Sequence, residues 1–129
     1  MDRTKILVVD DEREICELTK SFLAKRNYET FMATNIDDAI GLIQKEWPQI
    51  VLLDIRLGNE SGMDALSKIK QINDNIKVIM ITALDDENSI RQAKSLGADD
   101  YITKPFTTKY LNDFILQKIS SLQAEQKKE

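Results

Sequence analysis

The sequence predicts an α/β domain in which five βα units form one open parallel sheet with helices on both faces. Three observations predict it. Short apolar runs and segments of helical apolar spacing alternate from end to end, the order that gives parallel strands joined by right-handed helical crossovers. Three of the runs are apolar at every position and rich in β-branched residues, as strands covered on both faces must be. The 129 residues, 42% of them hydrophobic, fit a single core, and no repeat, low-complexity block or Pro/Gly-rich linker divides them.

The first strand spans Ile6 to Val9. Ile15, Leu18 and Phe22 follow at helical spacing with charged residues opposite, giving the first helix. Tyr28 to Ala33 alternates more, with Glu29 and Thr30 among its apolar residues, and suits a sheet edge. Asn35 with Asp38 three positions on forms a loose capping box. Ile36, Ala39, Ile40, Ile43 and Trp47 make the stripe of the second helix, and Pro48 stops it. Ile50 to Leu53 is a central strand. Ser61 caps a third helix carrying Ala65, Leu66, Ile69 and Ile72. Val78 to Ile81 is the next central strand. Ile90, Ala93 and Leu96 then mark a fourth helix, with Gly97 as its C′ residue. Asp100 to Thr103 is short and mixed, a second edge. A fifth helix beginning near Thr107 buries Leu111, Phe114, Ile115, Ile119 and Leu122, while Leu116 falls off that stripe, free for a dimer or effector contact. The domain is expected to occupy residues 1–123, with 124–129 a polar tail or linker start.

Composition removes several function classes. Eighteen Lys+Arg against twenty-two Asp+Glu leave a formal charge of −4, against direct nucleic-acid binding by this chain. The absence of histidine excludes Ser-His-Asp and Cys-His catalysis and HExxH zinc sites. Cys16, the only cysteine, lies between Ile15 and Leu18 and reads as a buried thiol in a reducing compartment. No apolar run approaches the ~20 residues of a membrane span, and the start lacks a signal-peptide pattern, so a cytoplasmic location is expected.

Ligands of open α/β sheets bind at the carboxyl ends of the strands. Here those ends carry Asp10, Asp11 and Glu12 after the first strand, Asp54 after the third, Thr82 after the fourth and Lys104-Pro105 after the fifth. Capping accounts for each one singly, but capping alone does not gather carboxylates, a hydroxyl and an amine on one rim. Two carboxylates ~4 Å apart repel by ~4 kcal/mol at an effective dielectric of ~20, so such a cluster calls for a cation. Hard oxygen ligands favour Mg²⁺, which couples readily to phosphate. The four glycines form neither a Walker loop nor GxGxxG. With no histidine, the plausible nucleophile is a carboxylate forming an aspartyl phosphate. Asp54 is the natural choice, with Lys104 on the phosphoryl oxygens and Thr82 bonding the product.

Four motifs in order carry a resemblance: Ile-Leu-Val-Val-Asp10-Asp11-Glu12; Val-Leu-Leu-Asp54-Ile-Arg-Leu with Gly62 eight positions beyond; Val-Ile-Met-Ile-Thr82-Ala83; and Gly97-Ala-Asp-Asp-Tyr101-Ile-Thr-Lys104-Pro105-Phe106. Over about residues 4–122 the chain resembles the receiver domain of bacterial two-component response regulators. The resemblance implies a flavodoxin-like fold with strand order 2-1-3-4-5 and Asp54 as phosphoacceptor. It implies Mg²⁺ held by Asp11, Asp54 and the Arg56 backbone carbonyl, with Asp10 acting through water. It further implies that Thr82 and Tyr101 switch rotamer on phosphorylation and that Lys104-Pro105 is a cis peptide. One departure is visible: many relatives carry proline four residues after the phosphoacceptor, where this chain has Gly58.

A haloacid-dehalogenase-type phosphatase would need a catalytic acid two residues after its nucleophile, where Arg56 stands. A flavodoxin would need a hydroxyl- and glycine-rich loop in place of Asp-Asp-Glu, and a degenerate binding-only receiver usually loses part of the acidic set, all of which is present. The expectation is therefore a switch that promotes its own Asp phosphorylation and dephosphorylation rather than an enzyme with a separate substrate. Its expected partners are a sensor histidine kinase or histidine phosphotransfer protein, an output partner the sequence does not name, and, in a phosphorylation-dependent homodimer, a second copy. Arg56 and Leu84 are best placed to order or obstruct hydrolytic water, and slow dephosphorylation is expected because neither is a general base. The chain is expected to be a stand-alone receiver or one cut from a longer regulator.

Overall fold

The computed structural model describes residues 3–82, 86–104 and 115–128. Strands β1 (Lys5–Val9), β2 (Glu29–Ala33), β3 (Ile50–Asp54), β4 (Lys77–Thr82) and β5 (Asp100–Thr103) form one sheet in the order β2-β1-β3-β4-β5, every neighbouring pair parallel. This is the expected flavodoxin-like order, with the two mixed strands at the edges. Helices α1 (Arg13–Ala24), α2 (Ile36–Glu46), α3 (Gly62–Ile72), α4 (Glu87–Ser95) and α5 (Leu116–Lys128) complete the units. A two-rung antiparallel ladder between β3 and α3, Arg56 against Ser61 and Leu57 against Glu60, was not foreseen.

Residues pointing to alternate faces split each apolar run between two cores. Leu7, Val9, Val51, Leu53, Val78 and Met80 meet α2, α3 and Ala93 of α4 on one face. Ile6, Val8, Ile50, Leu52, Ile79 and Ile81 meet α1 and the Ile115, Ile119 and Leu122 stripe on the other. Asn35 Oδ1 accepts from the Asp38 N–H at 2.8 Å and Ser61 Oγ from Met63 at 3.1 Å, so both expected caps form. Gly97 takes φ +104° after α4, as a C′ glycine does.

Four apolar assignments need correction. Leu18 is 53% exposed, because the inward side of α1 is Cys16, Thr19, Phe22 and Leu23, and a residue two positions past Cys16 is turned ~200° from it. Trp47 is 54% exposed: as the C-cap of α2 it turns left-handed, φ +51°, and leaves the stripe. Leu96 caps α4 and is exposed rather than packed. Leu116, in contrast, is half-buried against the α1/α5-side core and is not a free surface residue. The start of the fifth helix at Thr107, with Leu111 and Phe114, lies outside the described residues, as do Leu84 and Pro105 with the cis-peptide assignment. No helix among the described residues is long and apolar enough to cross a membrane.

Thr19 Oγ1 is buried in this core without a hydrogen-bond partner. Thr19→Val keeps the branched shape and removes the unsatisfied hydroxyl, so it should stabilise the fold by about 1 kcal/mol. Chemical denaturation of the two proteins would read the gain, and an equal or lower midpoint for the valine variant would contradict it.

Candidate functional site

The strand ladder extends past the strand ends and fixes the backbone of the rim. Asp10 N–H donates to Ala33 O at 3.1 Å, Ile55 N–H to Ile81 O at 3.0 Å, and Lys104 N–H to Thr82 O at 2.9 Å. Residues from four segments, separated by up to 93 positions, thereby open on one cleft of about 240 Å³ lined by Asp11, Glu12, Asp54, Ile55, Arg56, Asp86 and Lys104. A larger hollow of about 410 Å³ lies at the amino ends of the strands, around Trp47, Gln49, Asn75 and Gln123. Its lining carries no titratable side chain, whereas the smaller cleft gathers carboxylates and an amine.

Lys104 is the hub. Its Nζ lies 2.6 Å from Asp54 Oδ2, 3.0 Å from Asp10 Oδ2 and 3.6 Å from Glu12 Oε1. Asp54 Oδ1 accepts from the Arg56 N–H at 3.0 Å, so both oxygens of this nearly buried carboxylate are held. Asp10 is fully buried; its Oδ1 accepts from the Glu12 N–H at 2.9 Å. Its Oδ2 has the Lys104 charge nearby but no aligned hydrogen bond. Burial raises Asp10 from 3.8 to about 6, against the opposing pull of the Glu12 N–H and of Lys104. Burial alone would lower the Lys104 ammonium, but its hydrogen bond to Asp54 and its close ion pair with Asp10 outweigh that and hold it above the ordinary lysine value. The buried Cys16 Sγ donates to Asp10 O at 3.2 Å, and burial pushes its thiol up to about 11, an inert group beside the cleft.

Asp10, Asp11 and Glu12 each offer an oxygen within 4.8 Å of the others. Hard oxygen donors, one of them a buried oxygen lacking an aligned donor, fit a divalent cation. Asp54 joins this group through Lys104, and Arg56 borders the cleft with its side chain exposed. Thr82 is buried at the end of β4, opposite Thr103 of β5. Tyr101 lies away from the cleft lining, half-buried on β5, with Lys94 Nζ 5.7 Å and Lys118 Nζ 5.8 Å from its ring centroid. Asp86 was missed. It lines the cleft and also caps α4, and a cap before a helix gave no separate signal of a site.

A group with a raised carboxyl pKa lends stability that is complete below its unfolded value and is lost as pH rises through the folded one. In EDTA, Asp10 should therefore weaken the fold between pH 4 and about 6, by on the order of 2 kcal/mol at pH 7. Asp10→Asn should melt above wild type at pH 7, with the gap closing near pH 4. A gap independent of pH, or a variant that melts lower at pH 7, would contradict this origin.

A family model described as the response regulator receiver domain matches residues 6–116. Among solved structures the chain is similar to NtrX from Brucella abortus, with a TM-score of 0.88 and 30% identity over 98% of this chain and 29% of that one. It is similar also to the isolated receiver domain of that NtrX, with a TM-score of 0.81 and 34% identity over 92% of this chain and 98% of that one. A CheY-like receiver domain protein from Methanospirillum hungatei gives a TM-score of 0.85 and 29% identity over 96% and 99%. The chain thus spans under a third of that longer NtrX chain and nearly all of the receiver-domain chains. With the fold, the sheet order and the matched residues in agreement, this chain belongs to the response regulator receiver domain family.

Proposed function

We propose that the chain is a phosphorylation-controlled switch that takes a phosphoryl group onto Asp54 from a phosphohistidine of a sensor kinase or phosphotransfer protein. The observation that carries this reading is the Asp54 carboxylate held 2.6 Å from Lys104 at the mouth of the cleft, with Asp10, Asp11 and Glu12 beside it. An Asp54 oxygen forms the bond to phosphorus as the donor's P–N bond breaks and the imidazole leaves with that electron pair. Lys104 then turns from carboxylate to phosphoryl oxygens, where its charge opposes the negative charge that develops. Arg56 N–H keeps the carboxylate plane fixed through the transfer.

Asp10, Asp11, Asp54 and the Arg56 carbonyl would hold Mg²⁺. When bound, the ion shields the carboxylates from the incoming phosphoryl and neutralises charge on its oxygens. Thr82 drawn toward the phosphoryl, with Tyr101 following, is the switch we assign to the α4–β5–α5 side. A phosphoryl that favours that state by a few kcal/mol is enough to shift populations. The chain promotes its own phosphorylation and dephosphorylation and turns over no separate substrate. Its output partner, and any dimer formed on phosphorylation, would read that face.

With acetyl phosphate and Mg²⁺, intact-mass measurement should show one added phosphoryl group that is absent in Asp54→Asn and in EDTA. A modification that survives Asp54→Asn would overturn the assignment.

A further inference from the structure

We infer that Gly58 is a positioning residue for the cation, its backbone N–H holding the Asp11 carboxylate from across the cleft. The inference rests on the cation reading above. Gly58 N–H donates to Asp11 Oδ2 at 3.0 Å, a contact between segments 47 positions apart. Asp11 is exposed, and without a fixed donor its side chain would sample several rotamers in solvent. A carboxylate has roughly four acceptor sites, so one N–H orients the group and leaves capacity for a metal.

The donor is itself rigidly mounted. Gly58 sits at the tip of the two-rung ladder with the left-handed φ of +62°, and its N–H meets Asp11 just beyond the end of β1. The ladder is fixed at both rungs: beside the tip, Glu60 Oε1 accepts from the first N–H of α2, Ile36, at 3.2 Å, and at the base Gly62 N–H donates to Ile55 O at 2.6 Å. A proline here would lack the N–H and force φ to about −65°, so it would lose both the donor and its direction. Asparagine tolerates left-handed φ and keeps the donor, and a Cβ at this position meets nothing within 4 Å.

The test compares wild type, Gly58→Asn and Gly58→Pro by Mg²⁺ titration of backbone amide resonances, with melting in EDTA measured alongside. Gly58→Asn should bind Mg²⁺ within about twofold of wild type and Gly58→Pro about tenfold more weakly, the scale on which lost outer-shell partners act. In metal-free wild type the Gly58 amide should exchange slowly with solvent, and Asp11→Ala should release it, a reading that stands even if the proline variant does not fold. Proline binding as tightly as wild type, asparagine as weak as proline, or a freely exchanging Gly58 amide would each overturn the role. A wild type that shows no Mg²⁺ response would instead overturn the cation reading beneath it.

Discussion

Gly62→Ala is expected to lower stability by about 3 kcal/mol and to slow phosphorylation of Asp54 with it. The methyl group would lie 2.1 Å from Asp54 O, 2.8 Å from Ile55 Cα and 2.9 Å from Ile55 O. All three atoms are backbone, so no side chain can rotate away, and either α3 or the end of β3 must move. That end carries the candidate phosphoacceptor and the Arg56 N–H that holds it. Gly41 supplies the control. It lies inside α2 with nothing within 4 Å of its would-be Cβ, so Gly41→Ala should stabilise by about 0.5–1 kcal/mol through helix propensity. Denaturation midpoints that shift in opposite directions would support this reading, and a Gly62→Ala protein as stable as wild type would refute it.

Lys104→Met is the second large effect. It keeps the length of the side chain but leaves Asp10 and Asp54 as buried charges without a cation. At pH 7 in EDTA the loss should be about 2–4 kcal/mol, since breaking one side of a buried pair strands the other. The loss should shrink toward pH 5, where Asp10, already raised to about 6 with the lysine present, takes up a proton. Phosphoryl transfer should fall about a hundredfold, the usual scale for removing one group that stabilises developing charge. A variant whose EDTA melting temperature and transfer rate both match wild type would show that Lys104 does neither task.

Most of the sheet was legible because its signal is local: consecutive apolar positions at Ile50–Leu53 can be satisfied only by burial on both faces, and the strand ends then place Asp10 and Asp54 on one rim. The helices were legible in position but less so in orientation. Leu18 and Cys16 both lie on α1, and small residues such as Cys16 and Thr19 turned out to define its buried side. Leu116 erred in the opposite sense, off its own helix stripe yet covered by the core. At the rim, side-chain chemistry could be read, but backbone chemistry could not. The Gly58 N–H on Asp11 depends on a left-handed residue at the tip of a two-rung ladder that no periodicity announces. Glycine 62 is legible only as a motif position until the 2.1 Å approach to Asp54 O gives its reason.

The central claim is that the Asp54 carboxylate accepts the phosphoryl group, and trapping the acyl phosphate tests it most directly. The chain is treated with acetyl phosphate and Mg²⁺ and reduced with borohydride, which converts a phosphorylated aspartate to homoserine, and its peptides are then mapped. Homoserine at position 54, and at no other aspartate, is the predicted result. Homoserine at Asp10 or Asp11, or a phosphoryl group mapped to a hydroxyl with residue 54 still aspartate, would contradict it.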